Sequence, residues 1–203
     1  VAVERGWLKE SPAKWIMGGM SHRAAAHFLT AEEMDQVLSK PDVEEFDGLR
    51  DRAILEVMYA TGVRGREVVA LEVEDVDLAA GRLRVRIEDG QERQAPLADA
   101  AREFLGRYLK EVRPAWAQLP GEGPAERRGT ALFIEPMRGN PLNLGTIQKI
   151  VGAYVHQVKP GIVMPCRVVR DACIARLQAN GVAMEAIHAA VGDLRSEREA
   201  EPD

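Results

Sequence analysis

The sequence predicts a mainly helical domain that carries one small antiparallel β-sheet, an α+β arrangement. Apolar residues after position 30 recur mostly at helical spacing, and a single segment near residues 82–97 alternates like a β-hairpin. No motif repeats at a fixed period, which argues against a helical repeat protein. The 203 residues, 46% of them hydrophobic and 29% charged, have the composition of a soluble globular protein.

The predicted domain covers residues 30–195. Residues 1–29 are expected to form an arm or linker, because Ser11-Pro12 and Gly18-Gly19 interrupt any long helix. Residues 196–203 are expected to be an acidic tail. The sequence contains no run of about 18 apolar residues and no apolar core of a secretory signal, so we expect a cytoplasmic protein without a membrane partner.

The first helices have clear end signals. Thr30 followed by Glu33 predicts a capping box at the start of a helix that ends near Pro41. A second helix over residues 48–61 is apolar on more than one face and should be largely buried. Gly62 is placed to end it in a left-handed conformation.

Arg64 then opens a third helix, where unpaired backbone N–H groups and the positive end of the helix dipole lie. A cation at this position does not stabilise a helix. The residue is more easily explained as part of an anion clamp.

A β-hairpin follows. Leu83, Val85 and Ile87 alternate with arginines, Asp89-Gly90 is a hairpin turn signal, and residues 92–96 return as the partner strand. The short apolar segment 131–134 is predicted to be a third strand.

The later helices are predicted over residues 99–113, ending before Pro114, then 143–158, 167–180 and 184–191. Cys166 and Cys173 are seven residues apart, close to two helical turns, and are expected to be reduced thiols on one helix face. No ligand set for a metal accompanies them, so neither a metal nor a cofactor is expected.

The formal net charge of −5 is unevenly distributed. Between residues 127 and 170 seven side chains are basic and one is acidic, so this segment is +6 and the remainder −11. The basic residues are Arg127, Arg128, Arg138, Lys149, Lys159, Arg167 and Arg170. The segment is either an ordinary solvated surface or a localised patch that faces phosphates.

Several motifs together resemble the catalytic domain of tyrosine recombinases, the phage integrase family, with Xer-type enzymes the most similar. The first block is Leu49-Arg50-Asp51-Arg52-Ala53-Ile54-Leu55 with Tyr59-Ala60-Thr61-Gly62-Val63-Arg64, Glu67, Leu71 and Asp75-Val76-Asp77-Leu78. The hairpin end Glu92-Arg93-Gln94-Ala95-Pro96-Leu97 and the segment from Arg167-Val168-Val169-Arg170 to Val191-Gly192 supply the rest.

The resemblance implies a chemistry. In this family a tyrosine attacks a DNA phosphodiester, two arginines stabilise the charge of the transition state, and a hairpin lysine and histidines donate protons. Arg64 matches the first arginine and Arg170 the second, and Glu67 matches an acid that orients Arg64. The partner implied is double-stranded DNA, with Arg86, Arg93, Arg138, Lys149 and Lys159 as further candidate contacts.

The sequence departs from the family pattern at four positions. Glu88 stands where the hairpin lysine belongs, Arg167 where a histidine precedes Arg170, and Asp193 where a histidine follows Gly192. The tyrosine is expected near Pro202, but no tyrosine follows Tyr154. Tyr59, Tyr108 and Tyr154 lie in apolar helical patterns and are predicted to belong to the core.

Three functional hypotheses follow from these observations. The first is a degenerate, non-catalytic domain, a pseudoenzyme, that binds DNA or a partner recombinase. The second is an active recombinase completed by a tyrosine in trans, from another copy in a homo-oligomer, or by residues beyond a truncated C-terminus. The third is a structural interaction module in which Glu88 or Asp193 pairs with the arginines of a decayed site.

Overall fold

The computed structural model describes residues 28–87, 91–119 and 129–192. Most of the predicted arm over residues 1–29, the acidic tail and the positions of Glu88 and Asp193 lie outside these ranges. The predicted ion pairs of Glu88 or Asp193 with the arginines therefore also lie outside the described residues.

The first three helices follow the end signals of the sequence. Helix α1 (Ala31–Leu38) begins at Thr30 with the predicted capping box, in which Thr30 and Glu33 bond to each other's backbone N–H. Helix α2 (Phe46–Thr61) is buried along most of its length and runs through the centre of the domain. Gly62 ends it at φ 63° and ψ 25°, the left-handed conformation predicted, and α3 (Gly65–Ala70) follows.

The antiparallel sheet has the strand order β1 (Val76–Asp77), β2 (Arg82–Arg86) and β3 (Glu92–Pro96). The predicted hairpin is confirmed, with Leu83 opposite Ala95 and Val85 opposite Arg93. The apolar side chains of β2 point into the core, as alternation requires.

The prediction of a third strand at residues 131–134 was wrong. Ala131 and Ile134 make only isolated bridges, to Glu72 and Pro141. Side chains bond to the backbone groups that a strand ladder would use. The Tyr108 hydroxyl donates to the Leu132 carbonyl and accepts from the Ile134 N–H, and Arg113 donates to the carbonyls of residues 131 and 132. The third strand of the sheet is instead β1.

The prediction that a helix ends before Pro114 was also wrong. Helix α4 (Asp99–Arg107) continues through a π-helical turn (Tyr108–Val112) into α5 (Arg113–Ala117). Pro114 lies in the first turn of α5, where a missing N–H is tolerated. The π-helical turn before it changes the hydrogen-bond register and so accommodates the proline.

Three helices complete the domain. They are α6 (Leu144–Val158), capped by Asn143 as predicted, α7 (Pro165–Ala179) and α8 (Met184–Val191). Both cysteines lie on α7 as free thiols. No helix in the described ranges has the length and apolarity needed to cross a membrane.

Candidate phosphate-binding site

The seam between α2 and α3 is the centre of the candidate site. After the left-handed Gly62, the chain turns and Arg64 takes the N-cap position of α3 with an extended backbone. The side chain of Arg64 is 19% exposed, so its guanidinium is partly withdrawn from solvent. The predicted placement of an arginine at a helix start is confirmed.

Glu67 lies one turn into α3 and bonds back to Arg64. Its Oε2 accepts the Arg64 backbone N–H at 2.7 Å, and its Oε1 lies 3.3 Å from Arg64 Nη1. The first contact satisfies a helix N–H that would otherwise have no acceptor. The second limits where the Arg64 guanidinium can point, and the orienting role of Glu67 stays a prediction.

Arg170 reaches the same seam from α7. The residue is 1% exposed, and its Nη1 donates to the carbonyl oxygens of Gly62 and Val191, each at 2.9 Å. Arg170 therefore ties the end of α2 to the end of α8. The structure brings the two predicted clamp arginines to the same short turn at Gly62, although 106 positions separate Arg64 from Arg170 in sequence.

A third arginine joins them from the hairpin. Arg93 on β3 is 7% exposed, and its Nη2 lies 2.8 Å from Glu67 Oε2. Burial lowers the pKa of the Arg93 guanidinium, and the charge and hydrogen bond of Glu67 partly offset that shift.

Gly192 lies close to the guanidiniums of Arg64 and Arg93. At φ 84° and ψ 168° it occupies a region open in practice only to glycine. A Cβ built on it would lie 3.4 Å from Arg64 Nη1 and 3.5 Å from Arg93 Nε. The chain therefore passes close to two guanidiniums immediately after Val191, the carbonyl partner of Arg170.

The other candidate DNA contacts do not gather at this seam. Arg86 pairs with a carboxylate group formed by Glu72, Glu74 and Asp75. Lys159 pairs with Glu33 at 3.0 Å. Their assignment as DNA contacts stays a prediction.

Lys149 and Arg167 line an open groove of about 580 Å³ between α6 and the start of α7. Lys149 is exposed and Arg167 half-buried, with Arg167 Nε 3.9 Å from Asp171. Arg138 is exposed on the loop before α6. These three residues present positive charge on accessible surfaces.

The three tyrosines make their hydrogen bonds and ring contacts away from Arg64, Arg93 and Arg170. Tyr108 is fully buried, as predicted, whereas Tyr59 and Tyr154 are half-buried and pack against the core. Tyr154 donates to Asp51 at 2.9 Å, and Asp51 precedes Gly62 by 11 helical positions, roughly 16 Å.

Two structural roles near the site gave no signal in the sequence. Arg176 donates to the carbonyl oxygens of Tyr59 and Ala60, so the end of α2 is capped by a second arginine of α7. Asp75 is 3% exposed and neutralises arginines of β2. Within the described ranges, no three His, Cys, Asp or Glu side chains lie close enough to share a metal ion.

Comparison with known proteins places this arrangement in context. The model of the phage integrase family matches residues 27–193. The chain is 34% identical over 191 residues to tyrosine recombinase XerD of Staphylococcus epidermidis, covering 94% of this chain and 62% of the relative. It is 32% identical over 168 residues to tyrosine recombinase XerC of Pelotomaculum thermopropionicum, covering 83% and 54%. The chain thus spans only part of these relatives.

Solved structures share the fold. XerA recombinase superimposes with a TM-score of 0.67 at 21% identity, covering 85% of this chain and 58% of that one. XerH recombinase bound to its difH substrate gives 0.66 at 17% identity, covering 85% and 49%. The lambda integrase catalytic core gives 0.56 at 17% identity, covering 82% and 91%.

Proposed function

Because the chain belongs to the phage integrase family, we propose that it binds double-stranded DNA by its phosphate backbone at Arg64 and Arg170. The observation that carries this proposal is the convergence of these two arginines on the turn at Gly62. Each guanidinium offers planar donors suited to phosphate oxygens. Their partial or full burial strengthens attraction to an anion that enters the site.

The basic groove is a second region suited to the duplex. Lys149 on α6 and Arg167 on α7 both line it, and backbone phosphates are spaced along DNA so that several cations can be used at once. We assign these residues to positioning the duplex, and not to reading its sequence.

We further propose that this chain does not cleave DNA by itself. Strand cleavage in the family needs a tyrosine at the phosphate, and the tyrosines of this chain serve other contacts. Tyr108 bonds to backbone groups in the core and Tyr154 to Asp51, while Tyr59 stacks under Arg176. A covalent step would therefore require a tyrosine from a second copy, from a partner recombinase or from residues beyond the C-terminus of this sequence.

We assign the protein to the cytoplasm, where its proposed DNA substrate lies. The reducing conditions there keep Cys166 and Cys173 as the free thiols seen in the structure.

A salt titration of duplex binding tests the proposal. Each lost phosphate contact should lower the slope of log K against log salt by about 0.9. We expect Arg64→Met to lose about one such unit. Arg107→Met, which removes an arginine from the outer face of α4, is the matched control and should retain the wild-type slope.

Two results would count against the proposal. Wild-type protein that shows no duplex affinity even at low salt would exclude DNA binding and favour an interaction module. A covalent adduct with a suicide substrate, formed by this chain alone, would show that cleavage survives. An adduct formed only with an added recombinase would instead support a tyrosine in trans.

A further inference from the structure

Arg93 has an unexpected environment for a hairpin arginine. It lies on the core-facing side of β3, opposite Val85, and its side chain is buried. Among the described residues, Glu67 is the one carboxylate within ion-pair distance of Arg93, at 2.8 Å. Nε and Nη1 of Arg93 are buried and make no hydrogen bond within the described part of the chain. Within the described residues its charge is thus balanced by Glu67 alone.

That partner is shared. Glu67 is 6% exposed, and its Oε2 accepts from both Arg93 Nη2 and the backbone N–H of Arg64. Only Oε1 faces the Arg64 guanidinium, at 3.3 Å, which is long for a charge-assisted hydrogen bond. The short contact belongs to Arg93 and the long one to Arg64.

Because Glu67 is shared with Arg93, it neutralises less of the charge of Arg64. Arg64, Arg93 and Glu67 together sum to +1, whereas Arg64 and Glu67 alone would sum to zero. A neutral pair attracts a phosphate far less than a pair that retains a positive charge. A buried carboxylate without Arg93 would also draw Arg64 into a closer, two-oxygen contact.

We propose that Arg93 is a positioning residue that serves as the counterion of Glu67, so that Glu67 orients Arg64 without neutralising it. This inference rests on the proposed function, in which Arg64 holds a DNA phosphate. It assigns Arg93 an indirect role and replaces the direct DNA contact expected from the sequence.

A double-mutant cycle on duplex affinity tests the role. Arg93→Met should weaken binding about tenfold, the effect of losing one charge-assisted contact. Adding Glu67→Gln to that variant removes the unbalanced carboxylate and should restore affinity to within about threefold of Glu67→Gln alone. Arg93→Lys, which keeps the cation, should bind nearly as well as wild type.

Three outcomes of the cycle would overturn the proposal. One is an equal loss from Arg93→Met with and without Glu67→Gln, which would indicate direct contact with DNA. Another is wild-type affinity in Arg93→Met. The third is a tenfold loss in Arg93→Lys. If Arg93→Met does not fold, Arg93→Gln takes its place.

A crystal structure of Arg93→Met decides the same point without DNA. We expect Glu67 Oε2 to turn to Arg64 and the Arg64 Nη1–Glu67 Oε1 distance to shorten from 3.3 Å to about 2.8 Å. An unchanged 3.3 Å distance would overturn the proposal. Because this readout needs no ligand, failure of DNA binding by the wild type would be distinguished from failure of the role given to Arg93.

Discussion

Replacing Gly62 by alanine should destabilise the domain and disturb the arginine site together. At φ 63° an alanine pays about 1–2 kcal/mol for the left-handed conformation. Its Cβ would also lie 2.7 Å from Val191 Cγ1, a distance at which the side chain or the helix must shift. Such overpacking typically costs about 1–3 kcal/mol, so we expect a total loss of roughly 2–5 kcal/mol.

Gly181 offers a matched control. It also has a positive φ, 77°, at the end of a helix, but a Cβ there meets nothing within 4 Å. Gly181→Ala should therefore lose only the conformational term, about 1–2 kcal/mol. Both substitutions reduce the entropy of the unfolded chain equally, so that contribution cancels in the comparison.

Urea denaturation followed by circular dichroism gives both free energies of unfolding. The excess loss in Gly62→Ala over Gly181→Ala measures the contact with α8. Since Val191 carries a carbonyl partner of Arg170, duplex affinity should fall in Gly62→Ala and not in Gly181→Ala. Equal losses of stability in the two variants would refute the packing argument.

Two further predictions concern titratable groups. Burial raises the pKa of Asp51, while Arg50 and Tyr154 oppose that shift. A raised folded-state pKa favours the protonated form, so the contribution of Asp51 to stability is present below its unfolded pKa and is lost as pH rises through the folded pKa. Relative to Asp51→Asn, wild type should lose free energy of unfolding from about pH 4 upward; urea midpoints that move in parallel would contradict this. Burial also raises the pKa of Cys166 to about 11. Two pKa units leave about 100-fold fewer thiolates, so iodoacetamide at pH 7 should label Cys166 far more slowly in the folded than in the urea-unfolded protein. Equal rates would show an accessible, ordinary thiol.

Much of the local structure could be predicted because it depends on residues close together in sequence. The Thr30–Glu33 capping box, the left-handed Gly62 and the alternation of β2 each involve a few neighbouring positions, whose steric and hydrogen-bonding preferences are strong. The two errors at residues 131–134 and Pro114 arose where distant side chains or a change of helical register overrode those preferences.

The candidate site was predictable only in part. The position of Arg64 at a helix start and of Glu67 one turn later followed from spacing, and the resemblance to a family supplied the pairing with Arg170. The alternation of β3 places Arg93 on the core face with Ala95, but its pairing with Glu67 could not be foreseen, because 26 positions separate the two residues.

The sequence by itself determined the helices, the hairpin and the turn that presents Arg64, since backbone preferences and apolar periodicity act over a few residues. Only the tertiary structure decided how charge is shared in the site. Arg170 bonds to carbonyls of Gly62 and Val191, and Arg93 takes the nearer contact with Glu67. Burial makes each such pairing strong, and which residues are buried together depends on the packing of the whole domain.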